Sequence, residues 1–159
     1  MQHVFDDARN ILQGLRSPSM ASMALERWFF CLREEFSAAD VRFQVFVLGQ
    51  PKKLKVAVQE QIYLIGREAL INAFRHSEAT RIEAEVQYLR RRLRILLRDN
   101  GCGIDPQTVQ SGRHAHWGLL RMRERADGIG AQLEIWSRPG CGTEVQISIT
   151  GRTLAEAYL

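Results

Sequence analysis

The sequence predicts an α/β sandwich in which helices cover one face of a mixed sheet. Three observations carry that class. Helical periodicities dominate the first half, the longest over about 54–76, where Val58, Ile62, Ile65, Ala69 and Ala73 recur at spacings of three and four. Short runs at 41–47, 82–88, 93–97, 133–135 and 145–149 alternate apolar and polar residues, the period of half-buried strands. Glycine, proline or a polar loop punctuates the joints, so the elements are separate and short.

Taken in order, "VFDDARNILQGLR" places Val4, Ala8, Ile11, Leu12 and Leu15 at helical spacing, and Ser17-Pro18 ends that helix because a residue before proline avoids the helical region. A second helix is predicted over 20–36, with Ala24, Trp28, Cys31, Leu32 and Phe36 on one stripe. "VRFQVFV" follows as a strand, and "GQP" breaks the chain before the long helix. Ile82, Ala84, Val86 and Tyr88 mark one strand and Leu93, Ile95 and Leu97 the next, with a tight turn near Arg90 and Arg91. A polar loop, "PQTVQSGRHAH", leads to a helix in "WGLLRMRERADGIG" that ends in glycine. The last two strands flank the turn "RPGCG".

At 159 residues, 45% hydrophobic and 25% charged, the chain suits one compact domain with an appended helix. No apolar run approaches the roughly 20 residues needed to cross a bilayer, and "MQHVFDDARN" lacks the regions of a signal peptide. Cys31, Cys102 and Cys141 are odd in number, far apart and outside any C-x-x-C, so neither a disulfide framework nor a zinc site is supported. A soluble protein of the reducing cytoplasm is expected. The net charge of +4 and pI near 9.3 admit nucleic acid. However, Arg90, Arg91, Arg92, Arg94 and Arg98 mostly alternate along one strand face and its turn, which a solvated sheet explains equally well, and no nucleic-acid partner is expected.

Chemistry enters on the long helix. Glu68, Asn72 and His76 stand four apart and share a face. A carboxylate and a carboxamide one turn apart can hold a hydrated Mg²⁺, although a solvated polar stripe looks the same. In "RRLRILLRD" the apolar register of Leu93, Ile95 and Leu97 runs on into Asp99. A carboxylate facing the core costs several kcal/mol unless it meets donors. An adenine amino group is such a donor, and Gly101 and Gly103 would let a flat base approach the backbone, against the plain alternative of a glycine-rich turn. Gly118 opens the predicted helix after the polar loop, a place where free N–H groups suit phosphate. Gly140 and Gly142 precede the last strand, where an ordinary hairpin turn is the alternative.

As an ordered set, "REALINAFRH … DNGCGI … HWGLLRMRERA … GCGTEV" resembles the ATP-binding domain of bacterial sensor histidine kinases, in the subfamily paired with LuxR-like response regulators. The resemblance covers about residues 41–149 and implies the GHKL (Bergerat) ATPase sandwich, with ATP and Mg²⁺ as ligands. It implies roles residue by residue. Asn72 matches the Mg²⁺-chelating asparagine, Glu68 the acidic catalytic residue beside it, Arg75 the basic position that meets phosphate, and His76 lies in the same box. Asp99 matches the acceptor of the adenine amine. Gly101, Gly103 and Ile104 match the box that follows it; Gly118 and Leu119 match the box under the phosphates; Gly142 and Thr143 match the last box, Thr143 near the base. Residues 105–117 match the ATP lid, with Arg113 the cation best placed for the γ-phosphate and His116 beside it. The few apolar residues of that lid, Val109, Ala115 and Trp117, predict that it is mobile without nucleotide.

Two departures stand out. Family glycines at the phosphate helix are replaced by His116 and Arg121, so either the nucleotide shifts or Arg121 points away. No histidine followed by an acidic residue stands on an upstream helix, and His3, followed by Val4, does not supply one. The resemblance implies residues 1–17 as the end of a dimerisation hairpin, 20–150 as the catalytic domain and 151–159 as a C-terminal tail. The chain is then a fragment of a homodimeric kinase that donates the ATP γ-phosphoryl to a histidine absent here, for relay to a regulator. Alternatives are a GHKL-type anti-sigma-factor serine kinase and a nucleotide-sensing module without catalysis.

Overall fold

The computed structural model describes residues 23–36, 40–104 and 113–159, the side chains of 113–116 excepted. Five strands form a single sheet: β1 (Arg42–Gly49), β2 (Arg81–Leu89), β3 (Arg92–Asp99), β4 (Gln132–Arg138) and β5 (Gly142–Thr150). Their spatial order is β1-β2-β3-β5-β4. β1 runs parallel to β2 and every other pairing is antiparallel, so the sheet is mixed, as the alternation predicts. The helices are α1 (Leu25–Glu35), α2 (Val56–His76), α3 (Arg113–Gly128) and α4 (Gly151–Ala157).

Strand periodicity divides the sheet into an apolar and a polar face. Ile82, Ala84 and Val86 of β2, Leu93, Ile95 and Leu97 of β3, and Val145, Ile147 and Ile149 of β5 are buried in one core with the helices. The opposite face carries Arg98 Nε 2.6 Å from Glu144 Oε2, and Arg94 Nε donating to Gln146 Oε1 at 2.5 Å, whose amide donates on to Glu134. Two of the five arginines, Arg94 and Arg98, are thus paired across strands on that face, which fits the solvated-sheet explanation for them.

Central in the helical layer is α2. It buries Ile62, Ile65, Ala69 and Ala73 of the expected stripe, and Tyr63 and Leu70 besides, because α1 and α3 flank it. Gly66 makes the approach of α1 possible: a Cβ there would stand 2.2 Å from the Phe29 ring. On α1 the buried stripe is Leu25, Trp28, Phe29 and Leu32, whereas Cys31, expected on it, is exposed. The larger rings and Leu25 take the core, since they remove more apolar surface from water.

Three boundaries differ from expectation. The second helix, expected over 20–36, runs Leu25–Glu35, with Ala24 exposed before its start. Residues 151–159 are not a tail: Leu154 and Ala157 of α4 are buried, and the chain then returns beside residues 53–55 through Leu159 N donating to Lys53 O at 3.0 Å. Leu154 and Ala157 sit three apart, too short a period to signal a helix in a nine-residue stretch. Likewise, α3 begins at Arg113, four residues before the predicted start at Trp117. The predicted first helix and most of the 105–117 lid, residues 105–112, lie outside the described residues.

Candidate nucleotide-binding site

Asp99 ends β3 on the core face, in register with Ile82 on one side and Thr143 on the other. It is half-buried, and its Oδ1 accepts the Gly101 N–H at 2.9 Å. Burial pushes the Asp99 carboxyl above its ordinary value, while the Gly101 N–H, the Thr143 N–H and the Ser77 hydroxyl pull it back down. That hydroxyl has one proton, which serves either Asp99 or the Ala73 carbonyl 2.5 Å away. The carboxylate in the apolar register is therefore partly, and not fully, satisfied by the protein.

The loop after Asp99 is clamped from two sides. Cys102 N donates to Ser77 O at 2.7 Å at the end of α2, and Gly140 N donates to Cys102 O at 2.7 Å from the β4–β5 turn. Asn100 Oδ1 accepts the Arg81 N–H at 2.8 Å and the Thr80 N–H at 3.1 Å. Ile104 N donates to the Ser137 hydroxyl at 2.7 Å, and Ser137 Oγ stands 2.9 Å from Thr143 Oγ1. Ser77 and Ser137, unremarked in the sequence, thus organise the site, and nothing in local spacing distinguishes them from surface serines.

The glycines have a steric reason other than the one expected. A Cβ on Gly101 would lie 2.1 Å from Ser77 O. On Gly103, at φ +73°, it would lie 2.1 Å from Arg138 O, and on Gly142, at φ +80°, 2.0 Å from Asp99 O. Here the chain itself fills the space beside each glycine, so these residues let backbone meet backbone and hold the loop in one position.

The second half of the site lies between α2 and α3. Gly118 does not open α3, because the helix starts five residues earlier and the Gly118 N–H falls beyond the four free donors of the first turn. It faces Glu68 instead: a Cβ would stand 2.5 Å from Glu68 Oε1. Arg121 does not turn away either, since its Nη2 is 3.7 Å from that oxygen. Leu119 is half-buried against the core. Asn72, one turn on from Glu68, is half-buried, and among the described residues its carboxamide makes no hydrogen bond. Arg75 is exposed with its guanidinium 5.8 Å from the Phe36 ring centroid, toward the end of α1, and His76 is exposed. The side chains of Arg113 and His116 lie outside the described residues.

Two groupings therefore emerge, Asp99 with Gly101, Ile104, Gly142 and Thr143, and Glu68 with Gly118 and Arg121; Arg75 joins neither. An acceptor at the end of a core strand, a clamped glycine loop and a polar face on α2 are the parts of the candidate site on this two-layer sandwich. Residues 57–152 match the family model of histidine kinase-, DNA gyrase B- and HSP90-like ATPases, and the chain belongs to that family. It is similar to the sensor histidine kinase LiaS of Bacillus subtilis, 28% identical over 156 residues that cover 94% of this chain and 41% of LiaS. It is 26% identical to the signal transduction histidine-protein kinase/phosphatase DegS of the same organism, over 79% of this chain and 32% of DegS. With the nitrate/nitrite sensor protein NarX of Escherichia coli it shares 33% identity over 117 residues, 72% of this chain and 19% of NarX. The chain thus spans well under half of each. The histidine kinase domain of an Erythrobacter litoralis blue-light activated kinase has the same fold, with a TM-score of 0.65 at 22% identity, covering 79% of this chain and 58% of that one.

Proposed function

We propose that this chain is the ATP-binding catalytic domain of a sensor histidine kinase, which donates the γ-phosphoryl of ATP to a histidine on a dimerisation helix that this chain does not carry. One observation carries the proposal: the incompletely satisfied carboxylate of Asp99 on the core face, where an adenine amine would supply the missing donor. The clamped loop of Gly101, Gly103 and Ile104 and the Thr143 side of β5 would frame the base, and Gly142 keeps the two segments in contact.

The donor set fits Mg²⁺. Among the described residues no group of three His, Cys, Asp or Glu could cage a metal. Mg²⁺ does not need one, because it keeps waters and takes one or two protein oxygens beside substrate phosphates. The Asn72 carboxamide oxygen would hold it, with Glu68 close on the same helix face. When bound, the ion would neutralise charge on the phosphates. Glu68, held between Gly118 and Arg121, would orient the attacking group, and Arg113 and His116 would supply positive charge and donors to the triphosphate; Arg75 would join them only by leaving the Phe36 ring. Phosphoryl transfer asks mainly for this positioning and charge neutralisation.

By extension from the relatives' sensor-kinase names, the full protein would be a homodimer that passes phosphate to a response regulator with a LuxR-like output domain, and this portion would lie in the cytoplasm. No described helix is long and apolar enough to cross a membrane. The domain limits proposed are 20–150 for the catalytic unit, extended by α4. The test joins the chain to a dimerisation hairpin bearing a histidine followed by an acidic residue, and supplies γ-labelled ATP. Acid-labile label on the hairpin is the expected result. ATP binding without transfer would support a nucleotide-sensing module instead, and label stable to acid would support a serine kinase.

A further inference from the structure

A cleft of about 560 Å³ opens between the N-terminal half of α2 and the C-terminal half of α3, lined by Ala57, Gln61, Arg121, Glu124, Arg125 and Ile129 among others. That size is within the range of small-molecule sites. Arg121 and Arg125 stand one turn apart on the same helix face, and both line the cleft. Arg125 is half-buried, donates from Nη1 to Gln61 Oε1 at 3.1 Å, and has no carboxylate within 4 Å among the described residues. A guanidinium has five donors, and one neutral acceptor leaves most of them unused. Burial and the like charge of Arg121 push the Arg125 guanidinium below its ordinary value, while Glu68 and Glu124 offset some of this. Both observations describe a cation short of a counter-charge.

We propose that the cleft between α2 and α3 binds a small oxyanion, a carboxylate or a phosphate, clamped by the guanidinium forks of Arg121 and Arg125. Planar forks one turn apart match the two oxygens of either group. The Gln61 amide stands beside the fork as a further polar contact, and Ala57 and Ile129 favour a ligand with an apolar body. Arg121 gives the cleft a route to the nucleotide site, because its Nη2 also stands 3.7 Å from Glu68 Oε1. An oxyanion that draws Arg121 into the cleft frees the Glu68 carboxylate to support Mg²⁺ beside Asn72. This coupling rests on the assignment of Glu68 to the nucleotide site; the binding itself does not.

The test uses the ¹⁵N-labelled chain without nucleotide, titrated separately with inorganic phosphate and with benzoate at constant ionic strength, reading the Arg121 and Arg125 side-chain resonances by NMR. Half-saturation below about 1 mM for at least one anion is expected, and whichever binds tighter identifies the ligand class. Arg125→Gln, with its fold checked by thermal melting, should weaken that binding about tenfold. Silence of both arginines up to about 10 mM, perturbation confined to the Gly101 amide, or unchanged affinity in Arg125→Gln would overturn the site. The coupling is read in a second arm, in which the saturating anion should lower the free Mg²⁺ needed for ATP binding by about fivefold. An unchanged Mg²⁺ requirement, with the anion bound and ATP binding intact, overturns the coupling. Failure of ATP binding with anion binding intact counts against the proposed nucleotide site alone.

Discussion

Replacing Asp99 by asparagine changes one oxygen for an NH₂ in a place where every neighbour donates. The carboxylate accepts the Gly101 N–H at 2.9 Å and also faces the Thr143 N–H and the Ser77 hydroxyl. Asparagine can keep its oxygen on Gly101, but its amide nitrogen then points a donor at Thr143 or at an incoming adenine amine. The loss of one hydrogen bond to a charged acceptor is worth about 1.5–3 kcal/mol, or roughly 10- to 150-fold in affinity. Because the contact is to the base, ATP, ADP and adenosine should lose the same factor in calorimetric titration. The free protein supplies an internal control. Since the folded carboxyl sits above the unfolded value of 3.8, the folded state binds a proton more tightly between those two pH values. The wild type therefore gains stability relative to the variant as pH falls through that window, and loses it as pH rises. Thermal melts of both proteins at acid and neutral pH measure the sign. A folded Asp99→Asn that binds adenosine within about twofold of wild type would refute the adenine assignment.

Asn72→Ala should weaken Mg²⁺-dependent ATP binding by tenfold or more, about 1.4 kcal/mol, while leaving adenosine binding unchanged; equal losses for both ligands in calorimetry would make Asn72 structural. Gly101→Ala, whose Cβ would meet the Ser77 carbonyl at 2.1 Å, should destabilise the fold by about 1–3 kcal/mol in urea titration, because backbone must move. Gly118→Ala meets only the end of the Glu68 side chain, at 2.5 Å, and gains helix propensity, so its stability should rise by up to about 1 kcal/mol while MgATP affinity falls as Glu68 shifts. Leu154→Ala should cost about 2–5 kcal/mol by the same measure, since that side chain is 5% exposed; a negligible cost would return residues 151–159 to the status of a tail.

How much of the fold was legible in the sequence depended on the range of each signal. The core strands were legible because alternation is a period-2 signal that survives in runs as short as Leu93 to Leu97, and the sheet face it assigns is the one observed. The anomaly at Asp99 could be read from that alternation, and the half-buried carboxylate is where the register places it. The start of α3 could not, because "SGRHAH" is polar and carries a glycine, and helix N-termini of that composition are set by the packing of later turns, here Met122 and Ala126 in the core. Nor does local spacing show that the Arg75 guanidinium stands 5.8 Å from the Phe36 ring, which follows α1 and is distant in sequence.

The glycines show why an ordered motif carries more than its separate boxes. Gly101 and Gly103 look like openings for a ligand when the loop is read alone, and each is closed by a different distant segment, Ser77 just past α2 and Arg138 at the end of β4. The bond from Cys102 to Ser77 and that from Gly140 to Cys102 then tie α2, the loop and the last hairpin into one unit. Any side chain at Gly101, Gly103 or Gly142 would push a pair of those segments apart, and would separate the Asp99 acceptor from the Thr143 side of the site. The spacing of these glycines along the chain is therefore a record of three-way contact, in which each box is weak because its steric partner lies within or just beside another box. On this argument Gly103→Ala should lower affinity for adenosine even in molecules that remain folded, since Asp99 and Thr143 no longer share one rigid frame. Calorimetry on the folded fraction, defined by hydrogen exchange of the β3 and β5 amides, is the measurement. Full adenosine affinity in that fraction would show that the glycines serve stability alone.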